Sequence, residues 1–562
     1  MIRSSPFIAR MERWLPIATP VVLAAMLLTG LLLPLYSDEV GWRLQERAGF
    51  DGVDKLFSEQ CGPNTLAVPP WFMMPVRWYS ALFNGAWPTP FAVRLSGVAY
   101  ALIWLVLLLA LIRRLTVDGQ RRGQLTTLAC GLMGLGVMPW LLVWSRPEQP
   151  IILSVTAALL IGITGAQDKH PRLWAPVAIL MLGIIALSYH FKTLILIPLF
   201  LTAMVTAAPP RRAWAVQGLC MLALVGATMV ATHYWLARMA CPSDPVLAAD
   251  HASQSLGLSM MAHQKGALGW AMAPLRLIAN YQIPVYVAQA APDITPMSNW
   301  LLPHLVSKPT QIAWTIALNL LWLAGFVLMA WALVAALWQR RLDRPMLLAG
   351  VTLACASAWC MSQIVRNVYE ASFILPLLVL SFVIALSGTL SPKLARALSR
   401  ITPAIGLALP ISALAILGIY GPSLAATAGQ AGYLPDRNYS VGLGAYGALR
   451  QQILQTAAAC GITPERHPAR LLIDDVTYFT FMDMPLPDHK TTVLEPRWRG
   501  NLADPLSYLR QRGSSGMVLG CAALPADLRQ KAHARGGICC IGPDQWAEAP
   551  APTPHVASLP TP

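Results

Sequence analysis

Charged residues are scarce in this sequence. Only 12% of its 562 residues are charged, whereas 56% are hydrophobic. A soluble chain carries roughly a quarter charged residues, so the shortage excludes an ordinary soluble globular protein. Apolar runs of about 18 or more residues recur along the first three-quarters of the chain, which is typical of a polytopic helical membrane protein.

The apolar runs predict about eleven transmembrane spans. A cleaved signal peptide is not expected at the N-terminus, because the first apolar stretch is about 20 residues long and no small-x-small cleavage site follows it before Asp38. We therefore expect an uncleaved anchor. The predicted spans lie near residues 15–35, 92–112, 124–144, 150–166, 173–189, 193–208, 214–236, 311–338, 346–363, 371–388 and 402–421.

The interior of the predicted spans lacks charge. No Asp, Glu, Lys or Arg lies away from the span ends. Proton- and ion-coupled transporters usually hold such residues at mid-membrane, although each one costs at least ~2.5–3.5 kcal/mol there. The distribution therefore counts against a transporter, and no internal repeat is visible.

Acidic residues are scarce in every second connection between the spans. If the N-terminus and these connections are cytoplasmic, they hold most of the formal net charge of +15, as the positive-inside rule requires. Nucleic-acid binding is not needed to explain the charge. The predicted orientation is N-in and C-out. The basic residues of these segments are Arg3, Arg10, Arg13, Arg113, Arg114, Arg121, Arg122, Lys169, Arg172, Arg211, Arg212, Arg340, Arg341, Arg344, Lys393, Arg396 and Arg400.

After the last apolar run the composition becomes that of a soluble domain. We expect a membrane domain over 1–421, a small extracytoplasmic α/β domain over 422–546 and a disordered Pro- and Ala-rich tail over 547–562. Asp474 and Asp475 are expected to be a helix N-cap and a solvated neighbour rather than a metal site. The small domain's predicted helices span 445–459, 505–512 and 526–535, and its predicted strands span 470–476, 517–521 and 537–541.

The ten cysteines divide by location. Four fall inside predicted spans, where thiols behave as small hydrophobes. Six lie on the predicted oxidising side, an even number that permits disulfides. Cys61 and Cys241 could join two loops and the other four could cross-link the small domain, but the pairing stays open, as do free thiols. The span cysteines are Cys130, Cys220, Cys355 and Cys360; the outer ones are Cys61, Cys241, Cys460, Cys521, Cys539 and Cys540.

Polar residues collect at the predicted outer ends of the spans. Asp38 and Glu39 follow the first span, and three further outer turns each bring a cation. Snorkelling or helix capping explains any single one of them. Together they provide what is needed to break a sugar–phosphate bond, because one carboxylate takes the acceptor's proton and the cations neutralise the departing phosphate. The set comprises Asp38, Glu39, Arg43, Arg146, Glu148, His190, Lys192, Arg366, Tyr369 and Glu370.

Short motifs occur in a fixed order around these residues. In that order they resemble the GT-C glycosyltransferases that use polyprenyl-phosphate sugars, whose relatives include aminoarabinose-to-lipid A transferases and protein O-mannosyltransferases. The resemblance covers most of residues 14–210, returns around 362–380 and implies an α-helical GT-C architecture. The motifs are Ser37-Asp38-Glu39, Pro69-Pro70-Trp71-Phe72, Phe91-Ala92-Val93-Arg94-Leu95, Ser145-Arg146-Pro147-Glu148, Tyr189-His190-Phe191-Lys192-Thr193 and the segment from Arg366 to Tyr369.

The resemblance implies roles for four residues. Asp38 matches the position of the catalytic carboxylate, which acts as the base. Glu39 would assist it, orient the acceptor, or help to hold a divalent cation in members that use one. Glu148 matches a second acidic position, and Lys192 matches a lysine near the donor phosphate. The sequence itself requires no cofactor.

Other candidate site residues are chosen by their charge and by the side of the membrane on which they are predicted to lie. Val68 stands directly before the Pro-Pro pair, where the family often has His or Lys, so a phosphate contact made there in relatives is absent or supplied elsewhere, for example by Arg77, Lys265 or Arg276. The predicted phosphate partners are Arg43, Arg146 and Arg366, and the further candidates are His190, Tyr369 and Arg276.

The predicted function is an inverting membrane glycosyltransferase with Asp38 as general base. The donor is a sugar on a polyprenyl phosphate, and lipid A, a glycan or a protein is the acceptor. One alternative is an O-antigen ligase or polymerase, which fits the 237–310 loop with His251 and His263. The other is a non-enzymatic lipid or glycan translocator, against which the charge-free spans count.

Overall fold

The chain is predominantly helical, with a small sheet near its C-terminus. Its structure is a computed structural model, and elements are numbered in chain order among the residues that it describes. These residues are 6–35, 39, 89–167, 173–207, 214–240, 272, 307–340, 343–362, 370–428, 431–434, 437–444, 446–463, 471–481, 487–488, 510 and 516–547.

Helices occupy all eleven predicted spans. They are α1 (Pro6–Thr29), α2 (Pro90–Leu115), α3 (Gly119–Met133), α4 (Met138–Leu142), α5 (Glu148–Gln167), α6 (Trp174–Tyr189), α7 (Ile197–Ala207), α8 (Trp214–Ala240), α9 (Lys308–Trp338), α10 (Arg344–Ser362), α11 (Ala371–Ser387) and α12 (Pro392–Ala428). Single 3-10 turns follow α1 and precede α7, at Gly30–Leu32 and Phe191–Leu196.

Seven of the described helices are long and apolar enough to cross a membrane, by length and composition. Three more apolar helices are shorter: α6, the segment Lys192–Ala207 and α11. The chain is therefore a multi-pass membrane protein. The number of crossings and the N-in, C-out orientation stay predictions.

The third predicted span, 124–144, is interrupted. Helix α3 ends at Met133, and α4 is a separate short helix that starts at Met138. Glycine causes the break: Gly136 has φ +61°, a left-handed conformation that residues with a side chain rarely adopt. The N–H of Gly136 leaves the helical pattern and donates to Ser412 Oγ at 2.8 Å.

Helix α11 is the centre of the bundle. Every residue from Ala371 to Leu386 is buried, whereas a helix at the edge of a bundle buries only one stripe. It packs against α3, α5, α9 and α10. Since α11 begins directly after Glu370, that carboxylate is placed among the helices and not at their periphery.

The C-terminal part forms a mixed five-stranded sheet. Strand β3 is parallel to β4 and β5, and β7 is antiparallel to β5 and β6, which gives the order β4-β3-β5-β7-β6. Strands β1 and β2 form a separate antiparallel pair. The bounds are β1 Ala431–Leu434, β2 Arg437–Leu443, β3 Leu471–Ile473, β4 Pro487–Asp488, β5 Met517–Gly520, β6 His533–Arg535 and β7 Ile538–Ile541, with helices α13 Tyr446–Ala459, α14 Asp475–Phe481, α15 Ala526–Lys531 and α16 Pro543–Ala547.

Two predicted elements of this domain differ from the structure. The strand predicted over 470–476 ends at Ile473, because Asp474 caps α14: its Oδ1 accepts from the N–H groups of Val476 and Thr477 at 3.0 and 2.9 Å. The expected N-cap is thus confirmed. The helix predicted over 526–535 ends at Lys531, since the next residues pair with β7 through a turn at two glycines with positive φ. Of the helix predicted over 505–512, the structure describes only residue 510, which is helical.

Two disulfides tie this sheet together. Cys460 pairs with Cys540, and Cys521 pairs with Cys539, which resolves the pairing that the sequence leaves open. Cys61 and Cys241 lie outside the described residues. The four cysteines of the predicted spans are buried free thiols, as expected. The division into domains at residues 421 and 546 stays a prediction, although α12 continues to Ala428.

The sheet domain packs on one end of the helix bundle. Leu35, directly after the first helical segment, and Val93, in the first turn of α2, belong to the same buried cluster as Ile453, Ile473 and Phe479 of the domain. The membrane helices and the C-terminal domain therefore share a hydrophobic core at this end.

Candidate functional site

The end of the bundle beneath the C-terminal domain carries a concentration of buried charge. Four connections contribute: the exit of α1 with Glu39, the turn from Ser145 to Glu148 before α5, the turn at His190–Lys192 before α7, and Glu370 before α11. Arg94 joins them from the first turns of α2. Two hydrogen-bonded groups result, and they meet at neighbouring residues 145 and 146.

Glu39 and Arg94 form the first group. Their side chains are fully buried, and Arg94 Nη2 donates to Glu39 Oε2 at 2.7 Å. The guanidinium also donates to three backbone carbonyls: that of Leu33 at 3.1 Å, that of Pro34 at 2.6 Å and that of Val143 at 2.8 Å. Arginine suits this position because its planar fork carries five donors in fixed directions. Arg94 thus fastens the exit of α1 to the turn before α5.

The second oxygen of Glu39 fixes the same turn. Glu39 Oε1 accepts the N–H of Ser145 at 2.7 Å, and the hydroxyl of Ser145 lies 3.1 Å from that of Ser96. Close approach of the backbones depends on Gly97, since a Cβ there would lie 2.0 Å from the carbonyl oxygen of Val143. The carboxylate of Glu39 is therefore engaged on both oxygens by groups that hold backbone in place.

Glu148 is the centre of the second group. Arg146 donates to it from Nε and Nη2, at 3.2 and 3.3 Å, and the ammonium of Lys192 pairs with Glu148 Oε1. Glu148 is fully buried, and Arg146 and Lys192 are each less than 7% exposed. A charged carboxylate is stable in such surroundings only when cations and donors compensate for the lost water.

Lys192 connects this group to the central helix. Its Nζ lies 2.7 Å from Glu370 Oε1, and the other oxygen of Glu370 accepts Trp359 Nε1 at 2.8 Å. The ammonium also lies 5.1 Å from the ring of Trp359 and 5.8 Å from that of Phe373, distances at which a cation is attracted to an aromatic face. Four charged side chains, two of each sign, thus form one buried network.

His190 has a backbone role in this structure. Its Nδ1 accepts the N–H of Lys192 at 3.0 Å, so that it caps the 3-10 turn in which Lys192 lies. The imidazole is buried. This geometry orients Lys192.

The structure brings together five predicted site residues and adds two. Glu39, Arg146, Glu148, His190 and Lys192 all lie in the two groups. Glu370 and Arg94 have no individual role in the sequence prediction. The sequence signal for Arg94 is a basic residue at the start of an otherwise apolar span. The candidates outside the described residues are Asp38, Arg43, Arg276, Arg366 and Tyr369.

The described residues do not fit a divalent cation. Within them, no three His, Cys, Asp or Glu side chains are close enough to hold a metal ion. The predicted ligands, if a cation binds, are Asp38 and Glu39. Asp38 lies outside the described residues, and Glu39 has a guanidinium on one oxygen and a backbone N–H on the other. A cation at this carboxylate would face the positive charge of Arg94.

Comparisons with known proteins give matches among solved structures only. No family model matches the sequence, and no curated protein matches it. The apo oligosaccharyltransferase of Archaeoglobus fulgidus is 11% identical over 90% of this chain and 70% of its own, with a TM-score of 0.45. ArnT from Cupriavidus metallidurans, bound to undecaprenyl phosphate, is 12% identical over 94% of this chain and 97% of its own, with a TM-score of 0.45.

A further match is AglB from Archaeoglobus fulgidus in complex with an inhibitory peptide and a dolichol-phosphate, which is 11% identical over 96% of this chain and 75% of its own, with a TM-score of 0.43. AglB and ArnT belong to the GT-C superfamily, which the sequence motifs resemble. At these identities and TM-scores the likeness adds no argument about activity, which has to be inferred from the residues of this chain.

Proposed function

We propose that this chain is a membrane glycosyltransferase that moves a sugar from a polyprenyl-phosphate donor to an acceptor outside the cytoplasm. One observation carries the proposal: Arg146, Glu148, Lys192 and Glu370, from three separate connections, meet in one buried network at the end of the helices. In a donor with a lipid tail and a charged head, the tail occupies the bilayer and the head lies at the boundary of the bilayer. The bond that breaks, between sugar and phosphate, therefore lies near the ends of the helices, where the network is.

The cost of burying these charges favours a functional reading. A buried ion pair gains little stability over well-packed apolar residues of similar volume, because the charges lose their water. Structural need alone does not explain two cations and two carboxylates in one place. Ionisable groups gathered in low-dielectric surroundings are typical of catalytic sites.

The proposed reaction is a direct displacement at the anomeric carbon. Asp38, which lies outside the described residues, removes a proton from the hydroxyl or amine of the acceptor. The acceptor atom bonds to the anomeric carbon as the bond from that carbon to the phosphate oxygen breaks. The polyprenyl phosphate leaves with the electron pair and gains one negative charge, and the configuration at the carbon inverts.

Lys192 and Arg146 are the proposed stabilisers of that charge. Glu148 and Glu370 hold the ammonium of Lys192 from two sides, so the cation does not have to reorient as the phosphate departs. Preorganised charge of this kind is usually the largest contribution to catalysis. Glu148 is then a positioning residue. Arg43 and Arg366 are proposed as additional phosphate partners on grounds of charge.

Glu39 is proposed as a positioning residue for the general base. It directly follows Asp38 in the chain, and its pair with Arg94 holds the backbone at the exit of α1. A base must stay within hydrogen-bond reach of the proton that it abstracts. Anchoring the next residue in a buried ion pair restricts the base to one region of the site.

The proposed location follows from the charge pattern. The described arginine-bearing ends of α2, α3, α10 and α12 lie at the opposite end of the helices from the network. The positive-inside rule therefore supports an extracytoplasmic face for the network and the C-terminal domain. A bacterial inner membrane with a lipid A, glycan or protein acceptor completes the proposal.

The test is direct transfer in a defined system. The purified protein is reconstituted in vesicles with radiolabelled polyprenyl-phosphate sugars, and extracted envelope lipids, glycans and proteins are supplied as acceptors. Asp38→Asn is expected to lower the rate by ~10²–10⁴-fold, the usual contribution of a general base. Asp343→Asn is the matched control, because Asp343 caps α10 at the opposite end of the bundle, and its rate is expected to stay near that of the wild type.

Three results would overturn the proposal. Equal rates for Asp38→Asn and the wild type would show that Asp38 is not the general base. Transfer only from a diphosphate-linked oligosaccharide would indicate a ligase or polymerase. Movement of lipid-linked sugar between leaflets without any covalent product would indicate a translocator.

A further inference from the structure

A cavity of about 710 Å³ opens at the end of the bundle opposite the buried network. Helices α2, α5 and α6 and the start of α3 enclose it. Three arginines, two apolar residues and a tryptophan dominate its lining: Arg113, Arg114, Arg122, Leu160, Ile161 and Trp174. None of the described residues that line it is acidic.

The position of the cavity matches the second face of the membrane. Arg94, in the buried network, and Arg113, in the cavity, lie on the same helix roughly 28 Å apart at about 1.5 Å of rise per residue. The hydrocarbon core of a bilayer is about 30 Å thick. Trp174 begins α6 and is half exposed, as is usual for tryptophan at a membrane–water boundary.

Arg122 brings an unsatisfied hydrogen-bond donor to the cavity. Its Nη2 donates to the carbonyl of Thr116 at 3.0 Å, which fixes the guanidinium where the connection between α2 and α3 begins. Its Nε is buried and, among the described residues, has no acceptor. A buried donor without a partner is costly, and an oxygen of a bound phosphate would satisfy it.

The apolar part of the lining restricts the class of ligand. Leu160 and Ile161 lie on α5, a helix that is apolar along its length, and they form the wall of the cavity toward the membrane interior. A small hydrophilic anion gains nothing from such a wall. A phosphate that carries acyl chains satisfies both the arginines and the apolar side chains.

We propose that this cavity binds the phosphate head group of an anionic membrane phospholipid, at the face of the bilayer opposite the proposed transfer site. Basic pockets between transmembrane helices on the cytoplasmic side bind anionic head groups by this chemistry. The bound lipid joins α2, α3, α5 and α6 at this end of the bundle. This site is separate from the glycosyltransferase proposal and does not depend on it.

The experiment uses the full chain purified in detergent and native mass spectrometry. Dioleoylphosphatidylglycerol is titrated, with zwitterionic dioleoylphosphatidylcholine and inorganic phosphate in parallel. The variant R113Q/R114Q/R122Q removes the three cations of the cavity. The matched control K393Q/R396Q/R400Q removes the same charge from the exposed start of α12 at the same end of the bundle.

The wild type and the control are expected to bind phosphatidylglycerol with similar affinity and to prefer it to phosphatidylcholine. The cavity variant is expected to bind it at least ~10-fold more weakly, since one basic residue near an anionic membrane contributes on the order of fivefold. The single substitution Arg122→Gln, which keeps the rest of the cavity, is expected to cause a loss of about fivefold and serves if the triple variant does not fold.

Each contrary result would overturn the proposal. Equal affinity of the cavity variants and the wild type for phosphatidylglycerol would show that the arginines do not bind its head group. Equal affinity for the two phospholipids would show that the cavity does not recognise net negative charge. Binding of inorganic phosphate that displaces phosphatidylglycerol at equal concentration would identify a site for free phosphate instead of lipid.

Discussion

Replacement of Arg94 by methionine should destabilise the protein strongly. Methionine keeps much of the length of the side chain and removes its charge and donors. Glu39 would then stay fully buried with its negative charge unpaired. The carbonyls of Leu33, Pro34 and Val143 would also lose the donor that now satisfies them.

The magnitude follows from the burial of both partners. Removal of one member of a buried ion pair costs about 3–5 kcal/mol, because the remaining charge is desolvated without compensation. The double variant with Glu39→Gln removes that charge too, and glutamine still offers an oxygen to the N–H of Ser145. The double variant should therefore be less destabilised than the sum of the two single variants, by about 2–3 kcal/mol.

The measurement is a double-mutant cycle on unfolding in mixed micelles with a denaturing detergent. The 20 tryptophans of the chain give a fluorescence signal for the transition. Arg400→Met is the control, since Arg400 is exposed at the start of α12, and its effect should be within about 0.5 kcal/mol. An interaction energy near zero, or an Arg94→Met variant as stable as the control, would refute the reasoning.

Three further predictions concern other parts of the molecule. Lys192→Gln should lower transfer by ~10²–10³-fold, as loss of a charge-stabilising donor does, and a rate equal to wild type would exclude Lys192 from the site. Gly97→Ala should lower the free energy of unfolding by about 1–3 kcal/mol, because the new Cβ would meet a backbone oxygen. Gly418→Ala is the control: the space around Gly418 is open, so its effect should be neutral or stabilising. Non-reducing peptide mapping should recover Cys521 linked to Cys539, and serine at both positions should cost about 3 kcal/mol; a peptide with either thiol free would contradict the pairing.

Composition was sufficient to locate the membrane helices. Long charge-free runs have few alternatives to helix in a bilayer, so the spans coincide with helices even where their ends differ. The break after Met133 depends on one left-handed glycine, which a hydropathy pattern does not register. Residues 533–535, predicted as the end of a helix, form strand β6 instead, because these exposed residues gain their structure from pairing with β7.

The contacts within the site could be predicted only in part, because its residues lie far apart in the sequence. The turns with Arg146, Glu148 and Lys192 could be assigned to one end of the bundle because spans alternate in direction. Which carboxylate meets which cation could not be assigned, since Glu370 and Lys192 are 178 positions apart. Asp38 stays a prediction from sequence, and Glu39 acquired a role in anchoring backbone only when its partner Arg94 was known.

The shared core of Leu35, Val93 and the C-terminal domain has a consequence for biosynthesis. A chain emerges from the ribosome N-terminus first, so both residues are made long before the strands and helices that cover them. Until the last part of the chain has been made and has folded, this end of the bundle exposes apolar side chains beside the segment that carries Glu39. Assembly of this end of the bundle therefore depends on the C-terminal domain. A truncated product that retains the described membrane helices but not this domain would leave the charged network uncovered.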